Sequence, residues 1–586
     1  MGVGGPWALK RSKRKGKAVF KSGFIALVLL SICATTRVIA APLPSGAIPN
    51  EIERIQRDQQ LQNQQQLQRD MSPTKPPVEL DVPLPAPSSP APTGACRDIH
   101  TIEIVNAGAM DEEDKKSILG PYLGKCLDVA AIEKLLGDIT FFYIGRGEVT
   151  TRAYLPGQDL SHGMLKILVV EGRISDLKLE GSGVNIATAF PGLKGKTLNL
   201  RDLEEGLDQL RRLASNNPTL ELESGANPGD TIVVIRNEPA RRWHISAGGD
   251  NYGSDSTGRE QGFVTVGLDN LLGLNDYLTY TRRQSYLGGH SKGSRSNSVF
   301  FSVPHGRALL SAGWSDSDYK SEYLAPLTAT LLSLTGDSET LFVRGDYAFY
   351  RDRLTRVSFN TTVTRKTTNN FVNGIKLNVS SRTISTVDAG FSVTSRIGDA
   401  FVGGNIGVVR GLKVFNALED ADGLTSHDPQ AQFTKLVLGA SAMIPFEIAG
   451  HGAGFASQIS AQLADSALYS SDQISIGGIY SVRGFLDNSL GGDNGFYTRN
   501  DLSLYQPLGV FWDAPAMLRP YLAVDVGHAQ AKGLNAPDGT FVGAGLGLGF
   551  AAGPVSADIF AGRPLEVPRN LPDEGFNVFA LLSFTF

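Results

Sequence analysis

The sequence predicts a transmembrane β-barrel of 16 antiparallel strands, preceded by two small α/β domains and, before them, by an N-terminal helix with a Pro-rich linker. Three observations support this fold class. The C-terminal part alternates apolar and polar residues in segments of about ten, separated by Gly, Asp, Asn and Ser. Beyond the leader, no run approaches the ~18 consecutive apolar residues of a membrane-spanning helix, so a membrane location requires a closed barrel. Two stretches of about 70 residues ahead of it share one order of strands and helices.

Residues 1–41 have the three parts of a secretory signal peptide. Seven Lys and Arg residues form a basic region, an apolar stretch runs from Phe24 to Ala34, and small residues near Ala40 suit cleavage. The apolar stretch is about half of the ~20 residues that span a bilayer, which argues against the alternative of a retained helical anchor. The leader holds eight of the 55 basic residues and none of the 59 acidic ones. The leader indicates that the protein is exported. Without the leader's basic residues the mature chain is acidic, and its charge gives no indication of a nucleic-acid partner.

Residues 42–72 predict a polar helix. Its apolar residues, Ile52 and Ile55 among them, form only a thin stripe, so the helix is not built for a dry core. Its helical stretch, 48–71, would be ~34 Å long at 1.5 Å per residue, which suits a plug in the water-filled lumen of a barrel. A disordered Gln-rich arm is the alternative. Residues 73–95 contain eight prolines and predict an extended linker.

Residues 96–172 and 173–239 form the two α/β domains. Asp128 in the first and Asn199 in the second each precede a segment with apolar residues at helical spacing, and both side chains can accept an N–H at a helix start. Strands flank these helices in the order β-α-α-β-β. The shared order indicates a repeated domain.

The mature chain retains two cysteines, Cys96 and Cys126. Two cysteines in an exported chain indicate one disulfide in an oxidising compartment. A metal site would need further Cys or His ligands nearby, and only His100 is available. We therefore expect a disulfide and no metal.

Residues 240–586 contain the sixteen alternating segments of the barrel. In the last segment one face is apolar, and its residues are Val578, Ala580, Leu582, Phe584 and Phe586. One apolar face per strand and an even number of strands are typical of a lipid-embedded barrel, and a soluble β-rich domain is the alternative. Tight connections alternate with long ones, and the long ones are expected at 318–338, 412–432 and 464–495.

The segment 477–505 contains the most specific motif, Val482-Arg483-Gly484-Phe485. This motif resembles the VRGF/Y signature in the sixth outer loop of the POTRA-bearing outer-membrane transporter superfamily. The return strand with Arg499 and Asp501, and the strand 521–527 with Asp525, resemble that superfamily as well. The terminal Phe586 is similar to its C-terminal assembly signal.

The two α/β domains resemble POTRA domains, and their number distinguishes branches of the superfamily. Two such domains after a helix and a Pro-rich linker resemble the TpsB transporters of two-partner secretion, which include filamentous haemagglutinin and haemolysin transporters. The resemblance implies an outer-membrane translocator of a Gram-negative bacterium, with periplasmic POTRA domains that bind a secreted exoprotein. It also implies contact with outer-membrane lipid and with the barrel-assembly machinery during biogenesis. Assembly factors that insert other outer-membrane proteins usually carry more POTRA domains, and they are the alternative.

Arg483 needs an anionic partner if it lies inside a barrel, because a guanidinium does not lose its charge. Strand alternation directs Asp525 inward, and Arg499 and Asp501 share the inward face of the preceding strand. We expect Asp525 as the partner, Asp501 as the second candidate and Arg499 within the same lumenal group. The alternative is that Arg483 is a solvated loop charge.

Two short motifs are set aside. The G-x-S-x-G pattern at 289–293 lies between barrel strands and lacks the strand–elbow–helix context of a serine nucleophile. Gly195-Lys196-Thr197 lacks the first glycine of a phosphate loop, because Phe190 occupies that position. We therefore expect no catalytic residue, no cofactor and no metal, and transport driven by partner binding and folding. The sequence leaves open whether the partner is an adhesin, a haemolysin or a toxin.

Overall fold

The computed structural model describes Ile52, Ile55 and residues 96–286, 291–325, 330–511, 513–533 and 538–586. The predicted signal peptide and Pro-rich linker lie outside these residues. The predicted helix over 42–72 is described only at Ile52 and Ile55. Among the described residues, none of the helices has the length and apolar character of a membrane span.

The first α/β unit packs two helices against a three-stranded sheet. Its elements in chain order are β1 (Arg97–Ile99), β2 (Thr101–Val105), α1 (Glu112–Leu119), β3 (Lys125–Leu127), α2 (Val129–Gly145), β4 (Arg152–Tyr154) and β5 (Met164–Val170). The sheet order is β2-β5-β4, with β2 and β5 parallel. Asp128 caps α2 as predicted, since its side chain accepts the Ala131 N–H. The apolar face of α2 is buried on the sheet through Leu135 and Ile139.

The predicted disulfide is present. Cys96 and Cys126 are bonded, with their Cα atoms 5.3 Å apart. Asp98 pairs with Cys126 in the two-stranded β1–β3 ladder, which brings the two cysteines together. The bond therefore ties the start of the unit to the strand ahead of α2.

The second α/β unit repeats the plan. Its elements are β6 (Arg173–Gly181), α3 (Ile186–Ala189), α4 (Leu200–Arg211), β7 (Thr219–Ser224) and β8 (Asp230–Asn237). The sheet order is β6-β8-β7, with β6 and β8 parallel. Asn199 caps α4 by accepting the Arg201 N–H, and Leu203 and Leu210 are buried beneath the helix.

The C-terminal part is a closed antiparallel barrel that also carries short strands in its connections. Its strands in chain order are β9 (Trp243–Asp250), β10 (Gln261–Asp269), β11 (Tyr277–Ser285), β12 (Gly293–His305), β13 (Ala308–Ala325), β14 (Thr330–Arg351), β15 (Thr355–Val372), β16 (Ile375–Lys376), β17 (Arg382–Ile397), β18 (Ala400–Leu412), β19 (Pro429–Gln430), β20 (Thr434–Ile448), β21 (His451–Ala464), β22 (Ala467–Leu468), β23 (Ile474–Ile476), β24 (Leu490–Gly492), β25 (Asn494–Phe511), β26 (Ala514–Gln530), β27 (Asp538–Ala552), β28 (Val555–Glu566) and β29 (Asn577–Thr585). Within the described ranges, sixteen long strands form the wall, and β29 pairs with β9 to close it. The predicted strand number is confirmed.

The wall has the predicted apolar outer face. On β29, Val578, Leu582 and Phe584 are exposed, and on β27 Leu546 is 66% exposed. The inner face carries small polar residues, such as Ser315 on β13. Each strand therefore presents an apolar row outward and a more polar row inward, because the two faces of a strand alternate.

The connections alternate in length, with one correction. Short turns, such as the one that contains Gly306, contact the second α/β unit. The Gly306 N–H donates to the Thr188 carbonyl. Long connections lie at the opposite end. The prediction of a long loop over 318–338 is wrong, because β13 and β14 continue to pair up to Ala325 and Thr330. This ladder is longer than the ~9–11 residues that cross a bilayer, and its polar residues stay in strand because their backbone groups are paired.

Candidate functional site

The sixth connection at the end of the barrel opposite the α/β units, residues 465–493 between β21 and β25, is called loop six here. It begins with β22 and a 3-10 turn (Ser470–Asp472), then forms the small antiparallel hairpin of β23 and β24. The tip between these two strands carries the Val482–Phe485 motif. Gly484 has a φ of 101°, and a side-chain carbon there would lie 2.8 Å from the Arg563 carbonyl oxygen of the wall. Glycine is therefore required at this position of the tip by both conformation and space.

Arg483 is buried at this tip and makes a double hydrogen bond with Asp525. Its Nε donates to Asp525 Oδ2 at 2.7 Å, and its Nη2 donates to Oδ1 at 2.8 Å. The Arg483 backbone N–H also donates to Oδ2 at 3.0 Å. The two residues are 4% and 0% exposed. A buried guanidinium and carboxylate are stable together only when their hydrogen bonds are satisfied, as they are here.

The inward direction of Asp525 follows the predicted alternation of β26. Tyr521, Ala523 and Asp525 are buried, whereas Leu522 and Val524 are exposed outward. The Asn500 N–H adds a fourth donor to the Asp525 carboxylate, at 3.1 Å. Asp525 is thus held from the loop tip and from the neighbouring strand at once.

The other two lumenal candidates lie on β25. Asp501 contacts Arg483, with Nη2 and Oδ1 2.6 Å apart. Among the described residues, Arg499 shows no ion pair with the group, which differs from the expectation. The reason is that both nearby carboxylates already meet Arg483, which carries the same charge as Arg499.

Aromatic rings surround the motif. Val482 and Phe485 are both fully buried. The Phe485 ring meets the Phe541 ring edge-on, with centroids 4.9 Å apart. The Arg483 guanidinium lies over the Phe560 ring at 5.4 Å. The tip therefore packs against the wall through apolar contacts as well as charge.

Gly543 on β27 makes room for the tip. A side-chain carbon at Gly543 would overlap the Arg483 carbonyl oxygen. Strand alternation with the exposed Leu546 accounts for the inward position of Gly543 but not for its small size. The reason is the close approach of the tip's backbone to the wall.

The base of loop six is held by a second charged group that sequence reasoning did not find. Asp472 is buried and pairs with Lys366 of β15 at 2.9 Å. Lys435 of β20 donates to the Asp472 carbonyl at 2.6 Å. Loop six is thus bound to the wall at its base and at its tip.

The second α/β unit docks on the barrel through acidic residues of α4. Arg351, at the end of β14, pairs with Glu205 at 2.8 Å and with Asp208 at 2.7 Å. Arg356 of β15 contacts Glu205 at 2.9 Å. Burial alone would raise the pKa of Glu205, but hydrogen bonds and charge from Arg356 and Arg351 outweigh it and hold the pKa below the ordinary range. The ionised carboxylate is therefore the stable form at this interface.

Ile52 and Ile55 are buried against the inner face of the barrel. They form one apolar cluster with Tyr319 and Leu334. Both partners lie on the β13–β14 part of the wall. The remainder of the predicted plug helix lies outside the described residues.

Phe586, the predicted assembly signal, extends the closing seam. Its backbone exchanges two hydrogen bonds with Ile245 of β9, at 2.8 and 3.1 Å. Its side chain is exposed on the outer face. In the part of the chain that the structure covers, no group of three or more His, Cys, Asp or Glu side chains could hold a metal ion.

Comparison with known proteins identifies related chains. The family model for the haemolysin secretion/activation protein ShlB/FhaC/HecB matches residues 229–550. Two POTRA-domain models match residues 98–172 (ShlB-type) and 173–223.

Individual relatives match over most of their length. The outer membrane transporter CdiB of Escherichia coli is 30% identical over 549 residues, covering 91% of this chain and 89% of that protein. The hemolysin transporter protein ShlB of Serratia marcescens is 28% identical, covering 86% and 89%. A solved structure of CdiB from Escherichia coli has a TM-score of 0.81 and 28% identity, covering 94% of this chain and 100% of that one.

Proposed function

The chain belongs to the haemolysin secretion/activation protein family ShlB/FhaC/HecB, and on that premise we propose how its channel is kept closed. It is an outer membrane transporter of two-partner secretion, which exports an exoprotein through its barrel and has its POTRA domains in the periplasm. A barrel of 16 strands is wide enough to enclose an aqueous channel that side chains of the wall alone do not fill.

In the proposal, the resting channel is closed by loop six and by the segment around Ile52 and Ile55. The observation that carries this is the buried pairing of Arg483 with Asp525, which holds the loop tip inside the barrel. Export of an unfolded chain then requires the tip to leave this position. Binding of the exoprotein on the periplasmic side and its folding outside drive the process, without nucleotide hydrolysis.

The POTRA domains capture the exoprotein in an extended form. Their sheets end in edge strands, β2 and β4 in the first domain and β6 and β7 in the second. An extended peptide can add to such an edge through backbone hydrogen bonds. In β7 the residues alternate in burial, and Thr219 and Glu221 are exposed, which leaves this edge accessible.

In the same proposal, outer-membrane lipid covers the apolar outer face of the barrel, and the barrel-assembly machinery recognises Phe586.

The test is a secretion assay for the exoprotein in cells that produce this transporter. Removal of the transporter should eliminate the exoprotein from the medium and leave the amounts of other outer-membrane barrels unchanged. Reduced amounts of unrelated barrels, with normal exoprotein release, would instead favour an assembly factor.

A further inference from the structure

Loop six is also held by a carboxylate from a different part of the barrel. Glu574 lies in the last long connection, residues 567–576 between β28 and β29, which is called loop eight here. Its Oε2 accepts the Leu486 N–H at 2.6 Å, and its Oε1 accepts the N–H groups of Asp487 at 2.8 Å and Asn488 at 2.6 Å. Three successive backbone donors of the loop-six tip therefore converge on one side chain.

These bonds are local to the motif but independent of its arginine. Leu486 directly follows Phe485, the last residue of the motif. Arg483 is held by β25 and β26, whereas Glu574 approaches from the connection beyond β28. The two anchors share no side chain, so one can be removed while the other remains.

Neutral hydrogen bonds from the same part of the barrel support the contact. Asn577, at the start of β29, donates to the Gly484 carbonyl at 2.8 Å. Asn488 of the tip donates to the Pro572 carbonyl of loop eight at 2.6 Å. Glu574 is partly buried beneath the tip, and this burial raises its pKa, whereas the hydrogen bonds from the three N–H groups favour the ionised form.

On its other side the tip contacts the connection after β9. The Asp487 carboxylate accepts the Asp255 N–H at 3.1 Å, and the Tyr480 and Tyr252 rings meet edge-on at 6.1 Å. The tip therefore spans the seam between β29 and β9, which has five paired positions. Contacts on the β9 side would persist if Glu574 were changed.

We propose that Glu574 is a positioning residue that holds the tip of loop six in the lumen from loop eight, as a second anchor beside the Arg483–Asp525 pair. The inference rests on the proposed function of loop six as the closure of the channel. An ionised carboxylate suits three converging N–H donors because both of its oxygens accept and neither donates. Release of loop six then requires loop eight to yield as well.

The test compares Glu574→Gln with Asp573→Asn in the full-length mature protein in detergent micelles. Gln is isosteric but directs an amide donor at backbone donors, so at least one of the three bonds is lost. Asp573 is the matched control, since it is exposed and, among the described residues, accepts only the nearby Gly575 N–H. Heat-modifiable gel mobility verifies that each barrel is folded.

The readout is amide hydrogen exchange of peptides covering 484–490. We expect exchange to be at least about tenfold faster in Glu574→Gln and unchanged in Asp573→Asn. Equal exchange in Glu574→Gln and the wild type would overturn the assignment. If Glu574→Gln fails to fold, Glu574→Asp, which keeps the charge but shortens the reach, replaces it and should also speed exchange.

Single-channel recording separates this inference from the proposed function. We expect more frequent openings in Glu574→Gln, since the tip has lost one anchor. Faster exchange together with unchanged openings would keep Glu574 as an anchor of the tip and would contradict the role of loop six in closing the channel.

Discussion

Arg483 and Asp525 face each other inside the barrel through three hydrogen bonds, two from the guanidinium and one from the Arg483 backbone, at 2.7–3.0 Å. The backbone bond fixes the position of the tip, and the guanidinium bonds neutralise a carboxylate that is fully buried. Because loop and wall are joined here by charge at a buried site, removal of Arg483 leaves the Asp525 carboxylate without its charged partner, and removal of Asp525 leaves Arg483 with Asp501 alone.

Replacement of Arg483 should impair export and leave insertion intact. We expect Arg483→Ala to abolish or sharply reduce secretion, because it leaves a buried carboxylate without its charged partner. Such an unpaired charge costs roughly 3–5 kcal/mol, and water that enters the lumen lowers this cost. The strands of the wall do not depend on the tip, so heat-modifiable mobility should persist. Arg410→Ala, an exposed arginine of β18 that bonds Thr434, is the control and should secrete normally. Normal export by Arg483→Ala would show that the tip arginine is incidental.

A double-mutant cycle tests the pairing itself. Asp525→Ala should resemble Arg483→Ala, and the double mutant should secrete no less than either single mutant, since paired residues are not additive. Asp501→Asn should have a smaller effect, because Asp525 keeps its bonds to Arg483. Additive losses in the double mutant would make Asp501 the main partner.

Gly543 should tolerate no side chain while loop six is in place. Gly543→Val would force the Arg483 carbonyl away from β27 and displace the tip, so we expect a leaky channel and reduced secretion. The control is Gly345→Val on β14, where a side-chain carbon meets nothing within 4 Å. Conductance in planar bilayers distinguishes them, and equal conductance of the two variants would mean that the tip does not lie against β27.

Deletion of 42–72 should raise single-channel conductance without unfolding the barrel. A milder variant replaces Ile52 and Ile55 by Ser, which removes apolar burial of roughly 1.5–3 kcal/mol per side chain against Tyr319 and Leu334. We expect it to open more often than the wild type. Leu61→Ser, at a position outside the described residues, is the comparison variant for the loss of an apolar residue elsewhere in the same segment. Unchanged conductance after the deletion would show that this segment does not obstruct the channel.

Docking of the second POTRA domain should weaken in acid. The folded pKa of Glu205 is lowered by Arg356 and Arg351, so its contribution is present at neutral pH and is lost as the pH falls below the ordinary glutamate value of about 4.3. Glu205→Gln should lower the melting temperature of the domain at pH 7, and the difference from the wild type should narrow toward pH 3.5. The exposed Glu223→Gln is the control. A melting-temperature difference that does not change with pH would show that ionisation of Glu205 does not stabilise the docked domain.

Loss of the disulfide should destabilise the first POTRA domain alone. The bond closes a sequence separation of 30 residues, and Cys96→Ser with Cys126→Ser should cost about 3.6 kcal/mol on the loop-entropy model. Urea unfolding followed by circular dichroism measures this cost. Free thiols in the mature wild-type protein by mass spectrometry would contradict the bond.

The sequence by itself determined the features that repeat at short range. Strand alternation has a period of two, so the inward direction of Asp525 could be read from its neighbours Leu522 and Val524. Helix caps are equally local, and Asp128 and Asn199 are where they were predicted. The Val482–Phe485 motif was identified in the sequence by its resemblance to a superfamily signature, together with its return strand.

The tertiary structure decided the contacts that depend on closure of the barrel. Glu574 lies 88 residues beyond Leu486 in the chain and reaches it because the tip of loop six packs against loop eight in the folded barrel. Glu205 meets Arg356 only when α4 docks on the turns of the wall, and no periodicity in the sequence marks that face. Local patterns reflect the backbone geometry of one helix or strand. The pairs described here depend instead on which distant surfaces folding brings together, and no short-range pattern in the sequence records that proximity.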